Sequence, residues 1–144
     1  MNNKILLIIL LFTCLIFGQD SEKEKKDIHT IKFLKTDNIY TCVYTDIASK
    51  NKLVEKSFSF PVLKTIQKII LDGFDVKKDH QLIVQVNNST IVKFEYRMIN
   101  GKRMLKIRQN NFEKKIFGSS SFFSEKEIRK KLSQIIDNQG LVKL

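Results

Sequence analysis

Tryptophan is absent from this chain and proline occurs once, at Pro61. With only five glycines, that composition excludes collagen-like and low-complexity architectures. Cysteine is nearly absent too: Cys14 lies in an apolar N-terminal run and Cys42 lies beyond it. If the run is removed, Cys42 stands alone, no internal disulfide can form, and the fold must rest on its core. His29 and His80 are the only histidines, which leaves little for a zinc site. No phosphate-binding Gly-rich loop, dinucleotide fingerprint, nucleophile elbow or H-E-x-x-H occurs. Acidic residues are scarce, 15 against 26 Lys plus Arg, a net charge of +11. What remains is one domain's length with 42% hydrophobic residues, and eleven phenylalanines to make the aromatic core. A domain of that size buries roughly two-thirds of its unfolded surface.

The N-terminus opens Met-Asn-Asn-Lys and continues from Ile5 to Gly18 almost without a polar residue. A short basic start followed by an apolar run shorter than the roughly 20 residues of a membrane span reads as a signal peptide over 1–18. Export to the periplasm or the medium is therefore expected. Its removal takes away Lys4 alone and lowers the charge from +11 to +10. A rival reading makes Leu11-Phe12-Thr13-Cys14 a lipobox with Cys14 lipidated, although Phe12 and Thr13 suit it poorly. A third leaves the segment as an uncleaved anchor. Residues 19–27, mixed in charge and without apolar period, form a flexible leader. A single α+β domain is expected over 28–144.

The strongest structural signal is Ile91 to Gln109, two alternating runs around Asn100-Gly101. Asn-Gly supplies the two positive-φ residues of a two-residue type I′ hairpin. That turn sets Ile99 opposite Lys102, Tyr96 opposite Leu105, Phe94 opposite Ile107 and, on the other face, Glu95 opposite Lys106. Apolar residues meet apolar ones and unlike charges meet, so a slip of one residue would break both.

Around this hairpin the chain reads β-β-β-α-β-β-β-β-α. Strands are expected at Ile28–Leu34, Ile39–Thr45 and Leu53–Phe60. A helix follows, with Pro61 at its first position, Val62, Leu63, Ile66, Ile69 and Ile70 on its apolar side, and Asp72-Gly73 at its end. A fourth strand, Gln81–Val86, turns at Asn87-Asn88-Ser89, which places Val84 opposite Val92 and Leu82 opposite Phe94. Asn110-Asn111 forms another turn, Phe112–Phe117 a weaker last strand, and Gly118–Ser121 a loop. The second helix starts with an S-x-x-E capping box, Ser124 and Glu127, and a Phe123–Ile128 staple. Its stripe is Ile128, Leu132, Ile135 and Ile136, with Gly140 beyond its end and a short apolar tail, Leu141 to Leu144. One antiparallel sheet of six or seven strands, with both amphipathic helices on one face, satisfies this pattern.

The sheet's other face carries Lys93, Glu95, Arg97, Met104, Lys106 and Arg108. Lys93, Arg97, Lys106 and Arg108 are the candidate binding residues, a surface for a protein or another anionic macromolecule. The same charges also suit a merely solvated face. Lys126, Arg129, Lys130 and Lys131 make the second helix basic, but its stripe has the width of a core-facing helix. Nucleic acid is an unsuitable partner, since the chain is read as exported and carries no recognition motif for it. A membrane is a partner only through a lipidated Cys14 or an uncleaved signal.

Cys42 and His29 lie on strands able to pair, yet no third catalytic member and no oxyanion-hole glycine loop accompany them. Cys42 reads instead as a small buried apolar residue, with an intermolecular disulfide the other possibility. Asp75, Asp79 and His80 match neither a calcium loop nor a zinc spacing. Asn87-Asn88-Ser89-Thr90 holds overlapping glycosylation sequons, relevant only in a eukaryotic secretory route. The expectation is a small exported, non-catalytic binding protein without metal or cofactor. The alternatives are an inhibitor or immunity-type protein against one cognate enzyme or toxin, and a subunit of an envelope or secretion assembly.

Overall fold

The computed structural model describes residues 29–49 and 53–137. The expected signal peptide, Cys14, the charged leader, Ile28 and the tail from Gly140 lie outside the described residues. The chain is α+β, in the expected order of elements. β1 (Ile31–Thr36), β2 (Ile39–Asp46) and β3 (Val54–Phe60) form an antiparallel sheet with β2 in the middle. Helix α1 (Leu63–Asp75) follows. β4 (His80–Asn87), β5 (Thr90–Ile99), β6 (Lys102–Asn111) and β7 (Ile116–Ser124) then form an antiparallel meander, succeeded by helix α2 (Glu125–Ser133). A two-residue segment, β8 (Ile136–Asp137), joins the free edge of β1 in parallel.

The single sheet expected from the sequence is thus two sheets. Both turn an apolar face to one core. Phe33, Cys42, Tyr44, Phe58 and Phe60 come from the first, and Val92, Phe94, Tyr96, Leu105 and Ile107 from the second. α1 adds Ile66, Ile70 and Phe74, and α2 adds Ile128 and Leu132. α1 approaches β4, β5 and β6, whereas α2 approaches β6 and β7 and also β1 of the first sheet. Period-two alternation tells which side of a strand is apolar, but not whether two meanders lie edge to edge or face a common core.

The central hairpin has its expected register. Asn100 and Gly101 take φ of 49° and 74°, and Ile99–Lys102, Tyr96–Leu105, Phe94–Ile107 and Glu95–Lys106 are partners. Val84–Val92 and Leu82–Phe94 pair as well. The capping box of α2 is complete, and both staple residues, Phe123 and Ile128, are buried.

Other boundaries move for identifiable reasons. β1 begins at Ile31, leaving His29 ahead of it and exposed. α1 begins at Leu63, because Val62 is still extended (φ −127°, ψ 106°) and serves as N-cap, so Pro61 precedes the helix. Gly73 does not end α1. It lies buried inside the helix, where a Cβ would overlap the Tyr96 ring. Asn110 and Asn111 end β6, and the turn is Phe112 to Lys115, fastened by Asn111 Oδ1 accepting from the Lys114 amide at 2.8 Å.

The expected loop Gly118–Ser121 is the middle of β7. Its small residues are what the neighbouring sheet demands. A Cβ at Gly118 would overlap the Tyr44 hydroxyl, while Ile47 N donates to Ser119 O at 2.8 Å and Ser119 N donates to Asp46 Oδ1 at 3.0 Å. The ladder bulges between Lys106 and Arg108, and the Ser120 hydroxyl there accepts from Ile107 N at 2.9 Å. The Ser120 hydroxyl thus satisfies the irregular strand at its bulge, and it donates in turn to the Ser121 carbonyl at 2.7 Å.

Candidate functional site: the open face of the second sheet

The helices and the first sheet cover the inner face of the meander, and its outer face is open. Three registers combine to write that face as rows across four strands. One row is Ile83, Lys93, Arg108 and Ser119. Two residues along each strand lies the row Gln85, Ile91, Asn110 and Phe117. On the other side lies Gln81, Glu95, Lys106 and Phe122, and beyond it Arg97 faces Met104. Alternation along each strand puts all of these on one side.

The structure therefore brings Lys93, Arg97, Lys106 and Arg108 onto one surface, but not as equals. Glu95 stands between two guanidinium groups, pairing with Arg97 along its own strand and with Arg108 Nε at 3.0 Å across the next. One carboxylate holds both arginines. Lys106 lies over the Phe122 ring, 5.3 Å from its centroid. Lys93 makes no ion pair with a described residue, and its cross-strand neighbour is Arg108, a like charge.

Beside the cations is an apolar cleft that the sequence reasoning missed. It measures about 570 Å³ and is lined by Ile83, Ile91, Phe112 and Phe117 together with Lys93 and Arg108. Ile83, Phe112 and Phe117 are 56%, 55% and 65% exposed. The signal for Ile83 was present, because pairing Val84 with Val92 turns Ile83 outward. Phe117 was hidden by ending the last strand where β7 has scarcely begun. A second, more polar depression of about 400 Å³ adjoins it and is lined by Gln81, Glu95, Arg97 and Arg108 among others.

The remaining candidates lie elsewhere. Cys42 is fully buried opposite Phe33, and burial pushes its thiol well above the ordinary range, so it is held neutral. His29 is exposed ahead of β1, and it is Phe33 of that strand that faces Cys42. His80 stacks on Tyr96 with centroids 4.7 Å apart, and its Nδ1 is 3.0 Å from Lys78 O. Asp79 accepts from Met98 N at 3.0 Å and from Arg103 Nη1 at 2.8 Å, which ties the loop after α1 to the central hairpin. No group of three His, Cys, Asp or Glu able to hold a metal occurs among the described residues.

Comparison with protein-family models, with curated proteins and with solved structures finds no match for this chain. The functional reading therefore rests on the geometry of this face.

Proposed function

We propose that this chain is a small exported, non-catalytic binding protein that holds an anionic partner against the open face of its second sheet. The observation that carries the reading is the Lys93–Arg108 cross-strand pair. Like charges directly opposite one another on neighbouring strands oppose folding. Among the described residues the carboxylate paired with this row is Glu95, already shared between Arg97 and Arg108. A bound anion removes that repulsion and uses donors that water otherwise holds. Arg108 suits the task, since Glu95 fixes its Nε edge and so orients the guanidinium.

The test is a comparison of the wild-type chain with Lys93→Glu/Arg108→Glu, each tagged and used as bait at low salt in the native host. The variant should keep the wild-type far-UV circular dichroism and lose the partner that the wild type retains. Wild-type binding should weaken as salt is raised. Retention of the same partner by the folded double variant would refute the reading.

A further inference from the structure

The chemistry of the cleft says more about the ligand than its charge. We propose that it takes an amphipathic organic anion, with an alkyl or aryl body against Ile83, Ile91, Phe112 and Phe117 and an acidic head group on Lys93 and Arg108. The proposal rests on the open face being the ligand-holding surface and narrows what that surface accepts.

Four observations converge. At about 570 Å³ the cleft has the size of a small-molecule site. Among the described residues its lining includes two cationic side chains and no carboxylate. Its apolar residues are large and more than half exposed at Ile83, Phe112 and Phe117, a cluster of the kind that marks a binding surface when it stands on an otherwise polar face. Finally, the apolar and cationic groups are ordered. Lys93 and Arg108 share one row with Ile83 at its edge, Ile91 and Phe117 lie in the next, and Phe112 rises from the turn beyond. Successive rows on one face are two residues apart, roughly 7 Å along the strands. A ligand bound across them therefore needs its acid within about that distance of its apolar body. A polyanion without apolar groups would leave the phenylalanines in water, and a neutral hydrocarbon would leave Lys93 beside Arg108 with no added counter-charge.

The test uses the wild-type chain and four probes: decanoate below its micellar concentration, acetate, decyltrimethylammonium and poly-glutamate. Calorimetry should show one saturable decanoate site, with amide shift changes centred on Ile83, Ile91, Lys93 and Phe117. Acetate and decyltrimethylammonium should bind at least tenfold more weakly. Phe117→Ser and Lys93→Gln, both at exposed positions and checked for folding by their amide spectra, should each weaken decanoate at least tenfold. Equal binding of decanoate and decyltrimethylammonium would mean mere apolar adsorption and would overturn the proposal. So would decanoate shifts centred elsewhere, or unchanged affinity in Lys93→Gln. Poly-glutamate binding that Lys93→Glu/Arg108→Glu abolishes, without decanoate binding, would overturn the amphipathic ligand and leave the anionic-partner reading standing. Binding of neither anion would count against both.

Discussion

The Tyr96 ring lies directly over Gly73, and its hydroxyl reaches past that residue to donate to the Ile70 carbonyl of α1 at 2.7 Å. The absent side chain at Gly73 is thus what lets the first helix settle onto β5. Gly73→Ala should gain the roughly 1 kcal/mol of helix propensity that alanine has over glycine. It should lose more by forcing the ring aside, since overpacking a core costs about 1–3 kcal/mol and the buried hydroxyl bond would break as well. Net destabilisation by chemical denaturation is the expected result. Combining Gly73→Ala with Tyr96→Ala should cost less than the two separately, because the clash has gone. Additive costs would mean that the ring does not set the helix position.

Alkaline pH should weaken the fold in two stages. Burial is the main reason that the Cys42 thiol and the Tyr44 and Tyr96 hydroxyls are pushed above their ordinary values. Asp46, then Cys42, add to the shift at Tyr44, and Asp72 adds at Tyr96. In the unfolded chain the thiol ionises near 8.5 and the phenols near 10. The folded state keeps these protons after the unfolded state has lost them. Their contribution is therefore complete below the unfolded values and falls as pH rises beyond them, by about 1.4 kcal/mol per pH unit for each group. Stability measured from pH 7 to 11 should begin to fall near 8.5 and steepen near 10. In Cys42→Ala the first stage should vanish, whatever that variant's baseline stability. Iodoacetamide at pH 8 should likewise spare Cys42 in the native chain and label it after unfolding.

The central columns of the candidate site were legible because Asn100-Gly101 fixes a register and every pair across it agrees. Lys93, Arg97, Lys106 and Arg108 follow from that one turn. The β4 column follows from the Asn87-Asn88-Ser89 turn, but the β7 column was not legible, because it depends on tertiary contacts. Gly118, Ser119 and Ser120 have loop composition, yet they form strand, with Tyr44 of β2 packed too closely on Gly118 for any side chain there. Gly73 gave the same false signal in α1: a glycine that reads as a helix end is there for a ring on another element. The division into two sheets was invisible for a related reason, since alternation along β1–β3 and along β4–β7 is satisfied equally by one sheet and by two around a shared core.

The two sheets are held to each other by a buried polar bridge. Gln109 accepts from the Tyr44 hydroxyl at 3.1 Å and donates through Nε2 to the Ser57 carbonyl at 2.8 Å. Gln109→Leu preserves volume but leaves the Tyr44 hydroxyl in the core without its partner, at a cost of about 1–3 kcal/mol. Tyr44→Phe alone should cost about 1 kcal/mol. The double variant, with both ends of that bond apolar, should be more stable than the sum of the two losses allows. Since Gln109 also lines the cleft, decanoate affinity should be compared in Tyr44→Phe, whose hydroxyl lies on the inner side. Unchanged affinity there, with lowered stability, would separate the bridge from the ligand surface.

Ser124 ends β7 opposite Met104 and caps α2 at the same time. Its hydroxyl accepts from Glu127 N at 3.3 Å, and the Glu127 carboxylate accepts from Ser124 N at 2.6 Å, closing the box. α2 has only nine residues, shorter than an isolated helix needs to persist in water. Its position therefore depends on the cap and on Ile128 and Leu132 in the core. Ser124→Ala should cost about 1 kcal/mol, and Ser124→Asp, which restores an acceptor to the N-terminal amides, should recover most of it. Hydrogen exchange gives the sharper readout. In Ser124→Ala the amides of α2 should lose protection beyond the global loss of stability, while those of the β5–β6 hairpin should follow the global loss alone. Equal changes in both would show that α2 unfolds only with the whole domain, and that the cap acts on the domain rather than on its helix.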